Sequence, residues 1–234
     1  MIKQTLFAAA LLLGASAAQA DTAADCKQVT DRAKAVAACT TLLKDAGKDS
    51  AKIVEAYVGR ATAALGSAKP ADALADLSKA IGYDPKNADL WLKRANVRAV
   101  LGQKIRAAAD YSIAARYDTK SAPALAGRAE MYRLLGALPR AVSDATDALK
   151  LDPKSVSALS TRAFAQQRLG RDKEAMADAD EAIKLDSKSM LAYLARGLAQ
   201  VKADPAKATT DLKKVLELEP KSVLAAAALK KLGG

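Results

Sequence analysis

The chain has 234 residues, with 37 Lys and Arg against 26 Asp and Glu, no His and two Cys. Hydrophobic residues make up 51% but aromatic residues only 4%, and the apolar residues are mostly Ala and Leu, which favour helices over strands. Without His, two thiols do not complete a tetrahedral zinc site, and the sequence has no nucleophile elbow or phosphate-binding glycine loop. These features predict an all-α, non-catalytic protein without a metal or cofactor.

Residues 1–20 have the pattern of a cleavable signal peptide. Lys3 gives a positive start, an apolar run covers residues 6–18, and Ala18-Gln19-Ala20 has the small residues of a cleavage site. A membrane anchor is the alternative, but a span needs roughly 20 apolar residues and this run is shorter. We therefore predict a periplasmic or secreted protein, with no transmembrane span after cleavage and no nucleic-acid partner.

Residues 21–53 are predicted to form a shortened helical hairpin before the first full repeat. The hairpin contains Cys26 and Cys39, and an even pair of cysteines in an exported chain is typical of a disulfide. A bond that closes so short a loop stabilises a fold by about 3 kcal/mol. This disulfide would fasten an end of the chain that has a neighbouring repeat on one side only.

Five repeat units of nearly constant length occupy residues 54–222. The acidic residue that closes each unit recurs at almost the same interval along the chain, which is the signature of a repeat architecture. Each unit also has a large residue, an Arg three positions later, a small residue beside it, and two later columns that are almost wholly Ala. The closing acids are Asp84, Asp118, Asp152, Asp186 and Glu219, and the arginines are Arg60, Arg94, Arg128, Arg162 and Arg196.

Each unit is predicted to be a pair of antiparallel helices, A and B, because apolar and small residues recur at helical intervals in two segments. A Gly separates the segments in the second, third and fourth units, and a Pro after the closing acid ends helix B in the first, third and fifth. Each Arg of helix A is followed, at a nearly constant separation in sequence, by an Asp on helix B, which predicts an ion pair that joins the two helices. These aspartates are Asp76, Asp110, Asp144, Asp178 and Asp211.

At these columns the sequence resembles the tetratricopeptide repeat family. The aromatic or large opening residue, the small residue after it, the mid-repeat Gly, the two later small residues and the closing Pro all agree with that pattern. The resemblance implies a right-handed α-solenoid of stacked antiparallel helix pairs, with five repeats over 54–222 and a capping helix over 223–234. The fifth unit departs from the pattern, because Ala203-Asp204-Pro205 replaces the mid-repeat Gly.

The resemblance also implies that a partner binds in a concave groove lined by the A helices. Helical spacing selects the side chains on that face, and their mixture of acids, amides, guanidinium groups and apolar side chains suits an extended peptide or a partner helix. A solvated groove without a ligand is the alternative. The predicted groove residues are Asp89, Leu92, Asn96, Glu130, Arg133, Phe164, Gln167 and Arg168.

A line of lysines that recurs with the repeat forms a second candidate surface. These residues, which we call the lysine edge, would dock on an anionic polymer or glycolipid of the envelope, although salt screens exposed charges beyond roughly 8 Å. Our main hypothesis is a protein–protein interaction scaffold of the cell envelope, and docking through the lysine edge is the alternative. The lysine edge consists of Lys86, Lys120, Lys154, Lys188 and Lys221.

Overall fold

The computed structural model describes residues 22–28 and 30–233, so the predicted signal peptide lies outside the described residues. Within those ranges all regular secondary structure is helical, which confirms the all-α prediction. A short helical segment covers residues 22–27. The helices after it are α1 (Arg32–Asp45), α2 (Ser50–Gly66), α3 (Pro70–Tyr83), α4 (Ala88–Val100), α5 (Lys104–Tyr117), α6 (Ala122–Leu134), α7 (Leu138–Leu151), α8 (Val156–Arg168), α9 (Asp172–Leu185), α10 (Met190–Gln200), α11 (Pro205–Leu218) and α12 (Val223–Lys231).

The chain forms two compact units that meet in sequence between Gly102 and Gln103. In the first unit α1 packs on α2, α2 on α3 and α3 on α4. The side chains of Asp31, Asp49 and Asn87 accept hydrogen bonds from backbone N–H groups in the first turns of α1, α2 and α4. Because Asp49 caps α2, this helix begins at Ser50, one turn before the start of the first repeat expected from the sequence.

The predicted disulfide joins Cys26 of the short helical segment to Cys39 of α1, with the two Cα atoms 4.7 Å apart. Both cysteines are buried and pack with Leu42 and Ala56. Gly59 of α2 lies directly against the bond, because a Cβ at that position would come within 2.7 Å of the Cys26 Sγ. A glycine on α2 therefore allows the disulfide to form part of the core of the first unit.

The second unit contains α5 to α12, and the helices of each repeat pack against one another and against the next repeat. Gly136 and Gly170 connect helices A and B with φ values of +77° and +76°, which favour glycine. In the fifth repeat the Asp204 side chain instead caps α11 by accepting from the Lys207 N–H, and Pro205 begins the helix. Alanine dominates the core, so the helix backbones approach closely.

The closing acid of the second, third and fourth repeats organises the turn from helix B to the next helix A. The carboxylates of Asp118, Asp152 and Asp186 accept hydrogen bonds, at 3.0, 3.1 and 2.9 Å, from the backbone N–H two residues later. Such a bond holds a turn without proline. Pro is the turn former expected from the sequence, and the Asp side chain explains why Thr119 and Ser187 are accepted in its place.

The predicted Arg–Asp pairs form in the first, third, fourth and fifth repeats. In each pair the Arg Nε and Nη2 donate to the two carboxylate oxygens of the Asp over 2.6 to 2.9 Å. The aspartates are buried, and two forked, charge-assisted hydrogen bonds compensate for the loss of water around each carboxylate. The pairs are Arg60–Asp76, Arg128–Asp144, Arg162–Asp178 and Arg196–Asp211.

The third nitrogen of these arginines, Nη1, reaches the helix that precedes the repeat. Arg128 Nη1 donates to Ser112 Oγ and Arg162 Nη1 to Thr146 Oγ1, both at 3.2 Å. Each hydroxyl in turn donates to the backbone carbonyl four residues earlier. We call the Arg–Asp pairs and these acceptors the arginine ladder, and it links successive repeats within each unit. Arg94 of the second repeat makes the same kind of contact. The acceptors, in the order of the repeats, are Thr40, Ser78, Ser112, Thr146 and Asp180.

Candidate partner-binding groove

In the first unit the predicted groove residues lie on α4. Asp89 and Asn96 are exposed and Leu92 is half-buried. The Asp89 carboxylate is already paired with Lys93, whose Nζ lies 2.5 Å from Oδ2. Because Asp89 is exposed and Lys93 only half-buried, this pair contributes little stability. The α4 face is therefore an accessible polar surface with one apolar side chain.

In the second unit the groove residues of α6 and α8 form a connected cluster. Arg133 donates from Nε and Nη2 to the two carboxylate oxygens of Glu130, both at 2.7 Å. The guanidinium carbon of Arg133 lies 5.0 Å from the centre of the Phe164 ring, a cation–π distance. Thr161 of α8 also donates to Glu130, at 3.0 Å. Thr161 and Phe164 of α8 thus both contact the Glu130–Arg133 ion pair of α6. We call these four residues the groove lock.

Phe164 is 7% exposed and packs in the core of the second unit. The sequence pattern places Phe164 on the groove as a contact for a partner. In the structure the Phe164 ring packs against the Arg133 guanidinium. Because the ring is buried, it offers a partner little surface. Thr161, which completes the groove lock, is absent from the predicted site because its side chain lies one position beyond the selected face.

Gln167 and Arg168 follow the groove lock along α8. The Gln167 Oε1 atom is buried and accepts no hydrogen bond from the residues that the structure describes. The neighbouring Gln166 faces the scaffold instead, since its amide nitrogen, placed toward Asp178, lies 2.9 Å from Oδ2. Arg168 is exposed. The end of α8 therefore presents an unused acceptor beside an accessible cation.

Tyr111 of α5 packs against α6, close to Glu130 of the predicted groove. Burial raises its pKa to about 12, and the nearby negative charge of Glu130 adds to the effect. The ring packs so closely on α6 that a Cβ at Gly127 would come within 2.4 Å of the Tyr111 Cζ. Because residue 127 is a glycine, the Tyr111 ring can pack against α6, and its phenol lies close to the Glu130 carboxylate.

Several solved structures share this arrangement of helices. YrrB, a tetratricopeptide protein described as having an unusual peptide-binding site, matches with a TM-score of 0.63 and 20% identity, over 82% of this chain and 97% of its own. MamA from Desulfovibrio magneticus gives 0.62 and 17% over 73% and 97%, and TTC0263 from Thermus thermophilus gives 0.59 and 19% over 76% and 99%. The chain adopts the tetratricopeptide-repeat fold. The sequence itself matches no protein-family model and no curated protein.

In this tetratricopeptide fold the groove face of α10 is apolar. Leu194 is buried, and Leu191, Leu198 and Val201 are half-buried. The sequence leaves open whether the last helix covers this face. In the structure α12 packs on α11 and contributes Ala225, Ala228 and Leu229 to the core.

The lysine edge lies at the turns between repeats. All five of its lysines are exposed, and none forms an ion pair with a carboxylate of the described residues. Between residues 22 and 233, leaving aside residue 29, there is no cluster of metal-ligating side chains. The same part of the chain holds no helix long and apolar enough to span a membrane.

Proposed function

We propose that the protein is a non-catalytic interaction scaffold of the cell envelope, which binds an extended peptide or a helix of a protein partner along α6, α8 and α10. The observation that carries the proposal is the buried Gln167 Oε1, which has no hydrogen-bond donor among the described residues. An unsatisfied buried acceptor costs about 1–3 kcal/mol, and a rotation of the Gln167 side chain that brings Oε1 to a donor of a partner, such as a peptide N–H, would recover that energy.

The charges around Gln167 indicate what the partner carries. Arg133 is already neutralised by Glu130, whereas Arg168 is exposed and forms no ion pair with a described residue. Beyond it, the half-buried Leu191 and Leu198 of α10 offer apolar surface. A partner segment with a carboxylate near α8 and an apolar side chain over α10 would complement this surface.

The envelope location rests on two features of the first part of the chain. The predicted signal peptide would export the protein, and the buried disulfide between Cys26 and Cys39 suits an oxidising compartment. The peptide-binding site ascribed to YrrB supports a peptide-binding role for a chain of this fold. The α4 face, with Asp89, Leu92 and Asn96, would provide additional contact surface in the first unit.

Docking on an anionic envelope polymer through the lysine edge is the alternative function. Its specific support is the exposure of all five ammonium groups without a carboxylate partner among the described residues. Each exposed charge contributes little by itself, so this mode would depend on several lysines together and on low ionic strength.

A crosslinking pull-down from envelope extract separates the two functions. The mature chain is compared with a groove variant (Gln167→Ala, Arg168→Ala) and an edge variant (Lys154→Gln, Lys188→Gln), each washed at low and high salt. We expect a protein that the wild type and the edge variant capture in both salts and that the groove variant loses. If capture survives in the groove variant but disappears in the edge variant and at high salt, the proposed function is wrong.

A further inference from the structure

The first unit contains a cleft that lies outside the groove. It has a volume of about 570 Å³ and lies between the start of α1, the end of α2 and the start of α3. Ligand-binding cavities commonly have volumes of roughly 300–1,000 Å³. Its walls include the apolar side chains of Val36 and Ala64, and its polar lining includes Arg32, Lys69 and Asp72.

Ala64 explains why the cleft occurs in the first repeat. Later repeats carry much larger side chains in the same column of helix A, namely Arg98, Tyr132, Gln166 and Gln200. Gly66 creates space in the same way, because a Cβ there would come within 2.5 Å of the Arg32 Nε. Two small residues near the end of α2 thus open the cleft and admit the Arg32 side chain.

The charges in the cleft favour an anion. Arg60 and Asp76 line it too, but they neutralise each other through two hydrogen bonds of 2.7 Å. Of the remaining charged groups, Arg32 and Lys69 outnumber Asp72, and neither cation forms an ion pair with a described residue. The cleft therefore keeps a positive excess beside its apolar walls.

A helix terminus adds to the positive potential. Lys69 is the N-cap residue of α3, and its side chain makes no capping hydrogen bond. Pro70 has no N–H, so the donors that lack a cap here are those of Ala71 and Asp72, and an uncapped helix N-terminus attracts negative charge, of which this first turn holds only Asp72. This terminus and the two unpaired cations act on the same cavity.

We propose that this cleft binds an aliphatic carboxylate, with the carboxylate at Arg32 and Lys69 and the alkyl part against Val36 and Ala64. Two sources share that chemistry: a free fatty acid, and the C-terminal residue of a polypeptide that ends in an apolar side chain. The site is independent of the groove, so either proposal can fail without the other.

Titration of the full mature chain tests the site, with octanoate and N-acetyl-Leu-Leu as probes for the two sources. Calorimetry measures affinity, and amide NMR shifts of Ala64 and Ser67 locate the ligand. We expect one of the acids to bind, and its uncharged counterpart, octanol or the dipeptide amide, to bind about tenfold more weakly because a charge-assisted hydrogen bond is lost. Binding of the free acid alone would identify a lipid ligand, and binding of the dipeptide alone would identify a chain terminus.

Two variants and a control accompany the titration. Ala64→Gln fills the cleft with the side chain that two later repeats have at this position, and Lys69→Gln removes one cation of the lining and keeps a polar side chain there. Each should weaken the acid about tenfold or more, whereas Lys86→Gln, an exposed lysine of the same unit outside the cleft, should leave it unchanged. Absence of binding at millimolar concentration, or equal binding by wild type and Lys69→Gln, would overturn the proposal.

Discussion

The arginine ladder and the groove lock use the same chemical pair, a guanidinium forked onto a carboxylate, in two different ways. Ladder pairs such as Arg128–Asp144 join helix A to helix B and recur with the repeat. The groove lock pairs Glu130 with Arg133 within one helix, and α8 supports it through Phe164 and Thr161. The recurring pair serves the scaffold, whereas the pair that differs between repeats is a candidate for recognition.

The largest expected effect is on the ladder. Asp144→Ala removes both carboxylate acceptors of Arg128 and leaves a mostly buried guanidinium without a counter-charge, so the free energy of unfolding should fall by about 3 kcal/mol. Urea denaturation followed by circular dichroism measures the change. Asp147→Ala is the matched control, because the Asp147–Lys150 pair is exposed and its loss should cost less than about 1 kcal/mol. Equal losses in the two variants would contradict the scaffold role.

Alkaline pH should reveal the buried tyrosine beside the groove. Since the folded pKa of Tyr111 is about 12 and that of an unfolded tyrosine about 10, the unfolded chain loses its proton first. The contribution of Tyr111 to the free energy of unfolding is therefore constant below about pH 10. It falls by about 2–3 kcal/mol as the pH rises to about 12. Denaturation across this range should show a smaller fall in Tyr111→Phe, while Tyr117→Phe, which removes an exposed phenol, should behave as wild type.

A smaller effect is expected where the ladder crosses from one repeat to the next. Thr146→Val removes the acceptor of Arg162 Nη1 and should lower the free energy of unfolding by about 1 kcal/mol. The exposed Ser143 lies on the same helix, and Ser143→Ala should change stability by less than about 0.5 kcal/mol. If Thr146→Val is as stable as this control, the contact between repeats does not contribute to stability.

The smallest effect on stability is expected in the groove lock. Glu130→Gln weakens an ion pair that is partly exposed, so the free energy of unfolding should fall by less than about 1 kcal/mol. Partner affinity should nevertheless fall about tenfold, equivalent to about 1.4 kcal/mol, because Arg133 is no longer held in place. Glu181→Gln, which breaks an exposed pair on α9, should change neither quantity. A large loss of stability with unchanged affinity would assign Glu130 to the scaffold.

Most of the fold was predictable because equivalent residues recur at a nearly constant interval along the chain. Spacing indicated the helix pairs and the Arg–Asp pairs, and the even pair of cysteines indicated the disulfide. The acceptors of Nη1 were missed, although they also recur once per repeat from Ser78 onward, because Ser, Thr and Asp look unrelated until an Arg in each repeat contacts one of them. The turn-forming role of the closing Asp was likewise attributed to Pro.

The candidate site was less predictable, because helical spacing selects a face and not the contacts on it. Spacing placed Phe164 and Gln167 on the groove, but only packing shows that the Phe164 ring is covered and that the Gln167 oxygen has no donor. Glu130 and Arg133 were predicted as separate contacts, and their mutual pairing depends on side-chain conformation. The sequence shows that Ala64 stands in a column of larger residues. It does not show the side chains around Ala64, and these determine whether a small residue there leaves a cavity.

The central claim, that a partner is recognised along the groove, is tested most directly by site-specific photocrosslinking. A photoreactive phenylalanine derivative is placed at Leu134, four residues after Glu130 on the groove face of α6, or at Lys120 on the lysine edge before that helix. Both positions are exposed and about 18 Å of helix separates them. We expect a peptide or protein adduct from residue 134 and none from residue 120, whereas an adduct from residue 120 alone would contradict the groove and support the lysine edge.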